Sequence, residues 1–463
     1  MAYATTNPYT GQTLQTFPDA TDDEVKHAIS AAHEAFLDWR QTTFAERARV
    51  MDAAAAILRS DVDKYARLVT LEMGKLYAEA KAETILSAEI FEYYARNAEA
   101  LLRPEKLPVA SPAEGEAMLV HQPQGIVFAV EPWNFPYYQI ARIIAPQLSA
   151  GNTVLLKHAS NVPQCAAIFE ELMLEAGLPK GAFRNLYLAR HQTEIILNDA
   201  RVCGVALTGS EAAGAVVASV AGRALKKATM ELGGADAFIV LEDADIEKAA
   251  KWAAFGRHWN AGQVCVSSKR LIVADAVYDR FLDFYKSEVA KLRAGDPLDP
   301  ATTLAPLSSQ KAADDLTSQV EEARKLGAVV EEIGAPVPAH GAFFRPLLMT
   351  NLHADNAARH WEFFGPVTQL YRAKDEAEAI RIANDTPFGL GGSVFTKDTR
   401  RGVKVAEQIH TGMVFVNHPT MVKADLPFGG VARSGYGREL IGLGIKEFVN
   451  HKLIDVVDID APF

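Results

Sequence analysis

From Gly125 onward the chain switches between strand and helix at short intervals, and this alternation limits the fold more than any other feature. Gly125-Ile-Val-Phe-Ala-Val130 and Thr153-Val-Leu-Leu156 are short apolar runs, Val162 to Ala176 has a helical repeat closed by Gly177, and Val202 to Leu207 is again extended. Glu211 to Ala224 is helical and Ala228 to Leu232 extended. Strands separated by helices form a parallel sheet with right-handed crossovers, a doubly wound α/β unit. A second unit follows. Asp245 to His258, Val277 to Leu292, Gln310 to Leu326, Glu376 to Ala383 and Arg401 to Ile409 read as helices, and Leu271-Ile-Val273, Ala328 to Glu332, Ser393-Val-Phe395 and Met413 to Val416 as strands.

Before these units, Thr21 to about Arg103 is helical almost throughout, opening on the capping box Thr21-Asp-Asp-Glu24. Ala117-Met-Leu-Val120 reads as a strand on an arm leaving the body. The late strand His451 to Val457 has no obvious partner, so it pairs with that arm or with another subunit.

At 463 residues the chain exceeds one core and predicts two or three domains at roughly 100–200 residues each. The formal charge of −11 is spread along the sequence without a long run of like charges, which disfavours a nucleic-acid or anionic-membrane surface. The three cysteines, Cys165, Cys203 and Cys265, form no C-x-x-C, and the histidines form no H-E-x-x-H. Neither a disulfide framework nor a metal site is expected. The N-terminus has no basic and apolar leader, and no apolar run is long enough to span a bilayer. The expected location is the cytoplasm.

Cys265 sits in Asn260-Ala-Gly-Gln-Val-Cys-Val-Ser-Ser268, between a helical run and a strand, where a loop delivers a side chain to a cleft. Its small neighbours leave the sulfur reachable, as a nucleophile requires, although a lone cysteine also serves as a small apolar packing residue. Glu231, in Met230-Glu-Leu-Gly-Gly234, stands at the end of a strand where α/β sheets place ligands. It is either a general base or a cap for the next turn. Thr208-Gly-Ser210 opens the helix at Glu211, and its N–H groups favour a phosphate, although an ordinary N-cap has the same pattern. The G-x-G-x-x-G fingerprint is absent.

Taken together, Pro132-Trp-Asn-Phe-Pro136, Lys157, Thr208-Gly-Ser210, Glu231-Leu-Gly-Gly234, Gly262-Gln-Val-Cys265, Glu362-Phe-Phe-Gly-Pro366, Pro427-Phe-Gly-Gly430 and Ser434-Gly-Tyr-Gly-Arg438 resemble, in order and spacing, the aldehyde dehydrogenase superfamily over nearly the whole chain. The resemblance implies two doubly wound Rossmann-like α/β domains and a small β oligomerisation arm. Residues 1–106 and 124–232 would bind the dinucleotide and 233–433 would be catalytic. Residues 107–123 and 448–463 would form the arm, with 434–447 returning to the cofactor domain. It implies Cys265 as nucleophile, Asn134 and the Cys265 N–H around the oxyanion, and Glu231 as the base that activates water. It also implies NADP or NAD bound by Trp133, Lys157, Ser160, Gly209, Ser210, Leu232, Glu362 and Phe364, a small-molecule aldehyde substrate, and a homodimer or homotetramer.

Two departures from the family pattern bear on specificity. Ser160 stands where many NAD-preferring relatives have a glutamate, so both coenzymes are expected, and Trp361 replaces a second acid before Glu362. Arg142, eight residues after Asn134, matches the arginine that succinate-semialdehyde dehydrogenases use for the substrate carboxylate, and Lys157-His-Ala159 is similar to their short bacterial branch. A second such arginine is Trp259 here, for which Arg257, His258, His418 or Lys423 could substitute. The open alternatives are a dehydrogenase of small aliphatic or hydroxy-aldehydes such as glycolaldehyde, a thioester hydrolase, and a non-catalytic structural or binding protein on the same fold.

Overall fold

The first alternating stretch folds into a six-stranded sheet in the order Gly435–Tyr436, Lys227–Glu231, Val202–Thr208, Ile126–Glu131, Thr153–His158 and Phe183–Asn185. All neighbours are parallel except Gly435–Tyr436, which runs antiparallel to Lys227–Glu231. The structure, a computed structural model, describes residues 3–109, 115–353 and 355–460. Of the expected arm, residues 110–114 and 461–463 lie outside the described residues, as do 1–2 of the first expected domain and 354 of the second.

Register aligns the carboxyl ends of the strands: Glu131 lies opposite His158, Val130 opposite Leu207, and Thr208 opposite Glu231. One sheet edge therefore presents Pro132-Trp-Asn134, Gly209-Ser210 and Leu232-Gly-Gly234 together, which is where open α/β sheets bind ligands.

A second sheet has the order Val329–Glu332, Leu347–Thr350, Val367–Ala373, Arg270–Ala274, Ala237–Val240, Gly392–Phe395 and Phe415–Val416. It is parallel except at its Val329–Glu332 edge. Ala237–Val240, Leu347–Thr350 and Val367–Ala373 were not expected from sequence. Short strands with both faces buried lack the alternation that identifies a strand.

The late strand, Val449–Val456, pairs antiparallel along the full length of Glu116–Pro123, with Glu105–Leu107 on the far side. Of the two expected partners, it takes the arm of its own chain. The N-terminus adds an unexpected hairpin, Tyr3–Thr6 with Thr13–Phe17. The capping box at Thr21 starts helix Asp22–Trp39 as expected.

Helix Tyr77–Leu102 carries the groups that fix the loops of the sheet edge. Helix Pro136–Ala150 has no side-chain cap of its own, and Glu83 supplies one: its Oε1 accepts the N–H groups of Tyr137 at 2.8 Å and Tyr138 at 3.2 Å. Lys75, just before the helix, is ion-paired with Glu83, both side chains fully buried, and its Nζ lies 3.5 Å from the Phe135 ring centre. One turn earlier, Glu79 Oε1 accepts the Asn260 N–H at 3.2 Å, while its Oε2 has no partner among the described residues.

Burial pushes the Glu79 carboxyl up from 4.5 to about 7. Between those values the folded chain binds more protons than the unfolded one, so Glu79 contributes stability below about pH 4.5 that is lost as the pH rises towards 7. A rise of that size is worth about 3 kcal/mol. Melting temperature should therefore fall between pH 5 and 7, and Glu79→Gln should flatten that slope. Parallel melting curves for both proteins across the window would show Glu79 titrating normally in the fold.

Candidate active site

Cys265 enters the sheet-edge cleft from the side of the second sheet. Helix Ile246–His258 ends, and Asn260, Ala261 and Gly262 follow with φ of 51°, 52° and 77°. Three consecutive left-handed residues, two with side chains, persist only when their surroundings hold them. Besides the Glu79 contact, Asn260 Nδ2 donates to Asn134 O at 2.9 Å and to Gln263 O at 3.3 Å. Arg257, fully buried, donates to Gly262 O at 3.2 Å, to Phe363 O and Val367 O at 2.8 Å, and to Ser267 Oγ. Gln263 Oε1 accepts the Ser308 N–H at 2.9 Å. The turn that aims Cys265 is thus tied to a glutamate on one side and a guanidinium on the other.

The cleft has about 680 Å³ of empty space, lined by Pro132, Trp133, Asn134, Gln139, Thr208, Gly209, Ser210, Leu232, Gly233, Cys265, Glu362 and Phe364. Asn134 Nδ2 uses one hydrogen on Gln263 O at 3.1 Å, and Gln139 Nε2 lies 3.5 Å from its Oδ1, which orients the amide. The second amide hydrogen is left for an oxygen on Cys265. Burial pushes the Cys265 thiol up to about 12, against the lowering influence first of Lys269 and then of Arg142.

The rest of the cleft suits a dinucleotide. Ser210 caps helix Glu211–Arg223 by accepting the Ala213 N–H at 3.3 Å, so the helix presents its positive end to the cleft. Trp133 and Phe364 meet edge-to-face at 5.8 Å and form an apolar wall, with Glu362 beside it. A Cβ at Gly233 would come within 2.3 Å of Glu362 Oε2, so a side chain there would push that carboxylate out of its present place. Lys157 and Ser160 lie outside the cleft lining, Lys157 on the Thr153–His158 strand and Ser160 in the turn that follows it. Lys157 is half-buried near the Tyr3 ring, and burial lowers its pKa. Between the two groups His158 is held down to about 4 by burial, with Nε2 3.1 Å from Pro136 O and Nδ1 2.9 Å from the Ala159 N–H.

Glu231 reaches the expected strand end, but its buried carboxyl does not line the cleft. Neither oxygen has a hydrogen-bond partner among the described residues, and burial followed by nearby Glu439 raises its pKa.

Arg142, the residue expected to hold the substrate carboxylate, is not among the residues that line the cleft. Every residue of its helix, Pro136–Ala150, is buried, and the guanidinium pairs with Glu439 while donating to Thr208 Oγ1 at 2.7 Å and Tyr138 Oη at 3.3 Å. Arg257 is likewise consumed by carbonyls. His258 is buried and held down to about 3, so it stays neutral. His418 sits against the Trp252 ring at 4.4 Å, and Lys423 is exposed.

Sequence reasoning missed Lys75, Glu79, Glu83, Asn260 and Lys269 as parts of this site. The signal available was Glu79 and Glu83 at helical i, i+4 spacing after Lys75, and a lysine four residues beyond the nucleophile. Among the described residues, no group of three or more His, Cys, Asp or Glu could hold a metal ion, and no helix is long and apolar enough to cross a membrane.

The sequence model of the aldehyde dehydrogenase family matches residues 1–454. An NADP(+) succinate-semialdehyde dehydrogenase of Deinococcus radiodurans is 48% identical over 453 residues, covering 98% of this chain and 94% of that protein. One from Mycobacterium tuberculosis is 46% identical over 454 residues, covering 98% and 99%. The crystal structure of the succinic semialdehyde dehydrogenase of Streptococcus pyogenes with NADP+ superposes with a TM-score of 0.96 at 44% identity, covering 99% of this chain and 100% of that one. A likeness of this degree along the full length of both partners makes the assignment plain: the chain belongs to the aldehyde dehydrogenase family.

Proposed function

We propose that this chain oxidises succinate semialdehyde to succinate with NADP, and accepts NAD as well. The observation that carries the reading is one cleft lined by a cysteine, an amide donor and a helix N-terminus, in a chain whose relatives from three bacteria are named for this reaction.

Cys265 Sγ adds to the aldehyde carbon, and the oxygen that becomes negative is held by the Asn134 amide and the Cys265 N–H. The dinucleotide, when bound, supplies the acceptor for the aldehyde hydride. Trp133, Gly209, Ser210, Leu232, Glu362 and Phe364 would hold its pyrophosphate and nicotinamide end, and Lys157 and Ser160 its adenosine ribose. The resulting Cys265 thioester is hydrolysed by a water whose proton Glu231 takes. Since that carboxyl lies off the cleft wall, it rotates towards Cys265 at this stage.

For the substrate carboxylate, Lys423 is an exposed cation on the segment whose Val422 and Ala424 pack against the same hydrophobic core as Trp259 and Cys265. A second reading, a dehydrogenase of small uncharged or hydroxylated aldehydes, draws support from Arg142, since its pairing with Glu439 leaves no arginine on the cleft wall. We place the protein in the cytoplasm. We also propose a homodimer or homotetramer joined through Val449–Val456, whose outer edge and exposed Leu453, Ile454 and Val456 are otherwise left to water.

A panel of aldehydes assayed with each coenzyme tests the reading. Wild type should turn over succinate semialdehyde well above butanal, Cys265→Ser should be inactive, and Lys423→Ala should lose about tenfold in kcat/KM on the charged substrate alone. Equal activity on both aldehydes supports the second reading. A carboxylate about 4 Å from a 2′-phosphate costs about 4 kcal/mol per unit charge at an effective dielectric near 20, so Ser160→Glu should depress NADP use and spare NAD. If wild type has no NADP activity, another group excludes the phosphate. In solution, light scattering should report a dimer or tetramer, and a monomer at working concentration would remove the arm from assembly.

A further inference from the structure

Lys269 is buried, with a side-chain exposure of 3%. Its ammonium donates to Val264 O at 2.7 Å and Cys265 O at 2.7 Å, and pairs with Glu362 Oε1 at 3.1 Å. All three of its donors are thereby engaged. The same Glu362 oxygen accepts the Gly234 N–H at 3.0 Å. One side chain therefore grips the backbone of the nucleophile and also the carboxylate that lines the cleft beside Phe364. The fold alone has no use for a charge here, because an ammonium loses its hydration on burial and a neutral residue would pack against the second sheet without that cost.

We propose that Lys269 is a positioning residue that fixes Cys265 and links its readiness to the nucleotide groove through Glu362. While Glu362 rests on Lys269 the ammonium is neutralised. When Glu362 turns to a sugar hydroxyl, the positive charge is left to stabilise the Cys265 thiolate, and the thiol proton passes to water in the cleft. The sugar half of this inference rests on the role given to Glu362 under the proposed function. The link between Lys269 and Glu362 does not.

The groups that face the thiol are Lys269, Arg142 and Tyr138 from helix Pro136–Ala150, Glu362, and Asp236 from the segment before Ala237–Val240. Asp236 accepts the Gly391 N–H at 3.1 Å, and burial raises it to about 6. Most of its titration therefore falls below the pH range where the thiol is followed.

The experiment is the rate of Cys265 alkylation by iodoacetamide from pH 7 to 10 in nucleotide-free protein, with the modified cysteine located by peptide mass. Glu362→Gln keeps the side-chain shape and removes the counter-charge, so it should move the profile to lower pH and speed alkylation about tenfold at pH 7.5. Lys269→Met should slow it by about as much, and the double variant should follow Lys269→Met. If Lys269→Met fails to fold, Glu362→Gln decides by itself: profiles that coincide with wild type overturn the link. NADP added to wild type should shift the profile in the direction of Glu362→Gln and leave that variant unmoved. Binding is measured separately by calorimetry. Bound NADP without a shift overturns the sugar half, and absence of binding overturns it together with the functional reading, while the nucleotide-free rates still decide the link.

Discussion

The site depends on a carboxylate that never meets substrate. Glu83 closes the N-terminus of the helix that follows Asn134, with Lys75 as its counter-ion, and Glu79 one turn away holds the turn that leads to Cys265. Two loops from different sheets are thereby referenced to one rigid helix, Tyr77–Leu102. Acyl chemistry requires nucleophile and oxyanion donors to stay within a fraction of an ångström of each other, and loops alone do not provide that. The cost is burial of charge, offset for Glu83 by Lys75 and two N–H groups, and met only partly for Glu79.

Behind the cleft the balance of charge is different. Arg142 is surrounded by Glu439, Glu131 and Glu231, so several carboxyls share one guanidinium in a space closed to water. Burial favours the protonated acid in each of the three. Glu231 therefore acts as base only from its ionised form, which the raised pKa makes more basic towards water, and a carboxyl kept off the cleft wall does not compete with the thiol for the aldehyde. Arg142 therefore acts on Cys265 as a fixed charge at a distance.

The architecture was largely legible in the sequence because helices with clear periodicity and strands bounded by glycine carry their own signals. Three strands of the second sheet, Ala237–Val240, Leu347–Thr350 and Val367–Ala373, were not, since strands buried on both faces show no alternation. The cleft residues were legible as motifs at strand ends, and the structure brings Trp133, Asn134, Gly209, Ser210, Leu232, Glu362, Phe364 and Cys265 onto one cleft. Arg142 shows the limit. A spacing of eight residues from Asn134 fixes a helix position, but which way that position faces depended on Glu439, almost three hundred residues later. The same holds for Glu79 and Lys269, whose roles arise only from contacts across the fold.

The pairing of Val449–Val456 with Glu116–Pro123 also sets an order of events during synthesis. The arm strand leaves the ribosome long before its outer neighbour, which lies far downstream in the chain. The same closing segment supplies Gly435–Tyr436 to the first sheet, the Gly444 carbonyl to Gln147 and the Phe448 carbonyl to Asn152. The nascent chain thus carries an open sheet edge until that segment is made, and a chain without residues 434–463 has both sheet and arm unfinished.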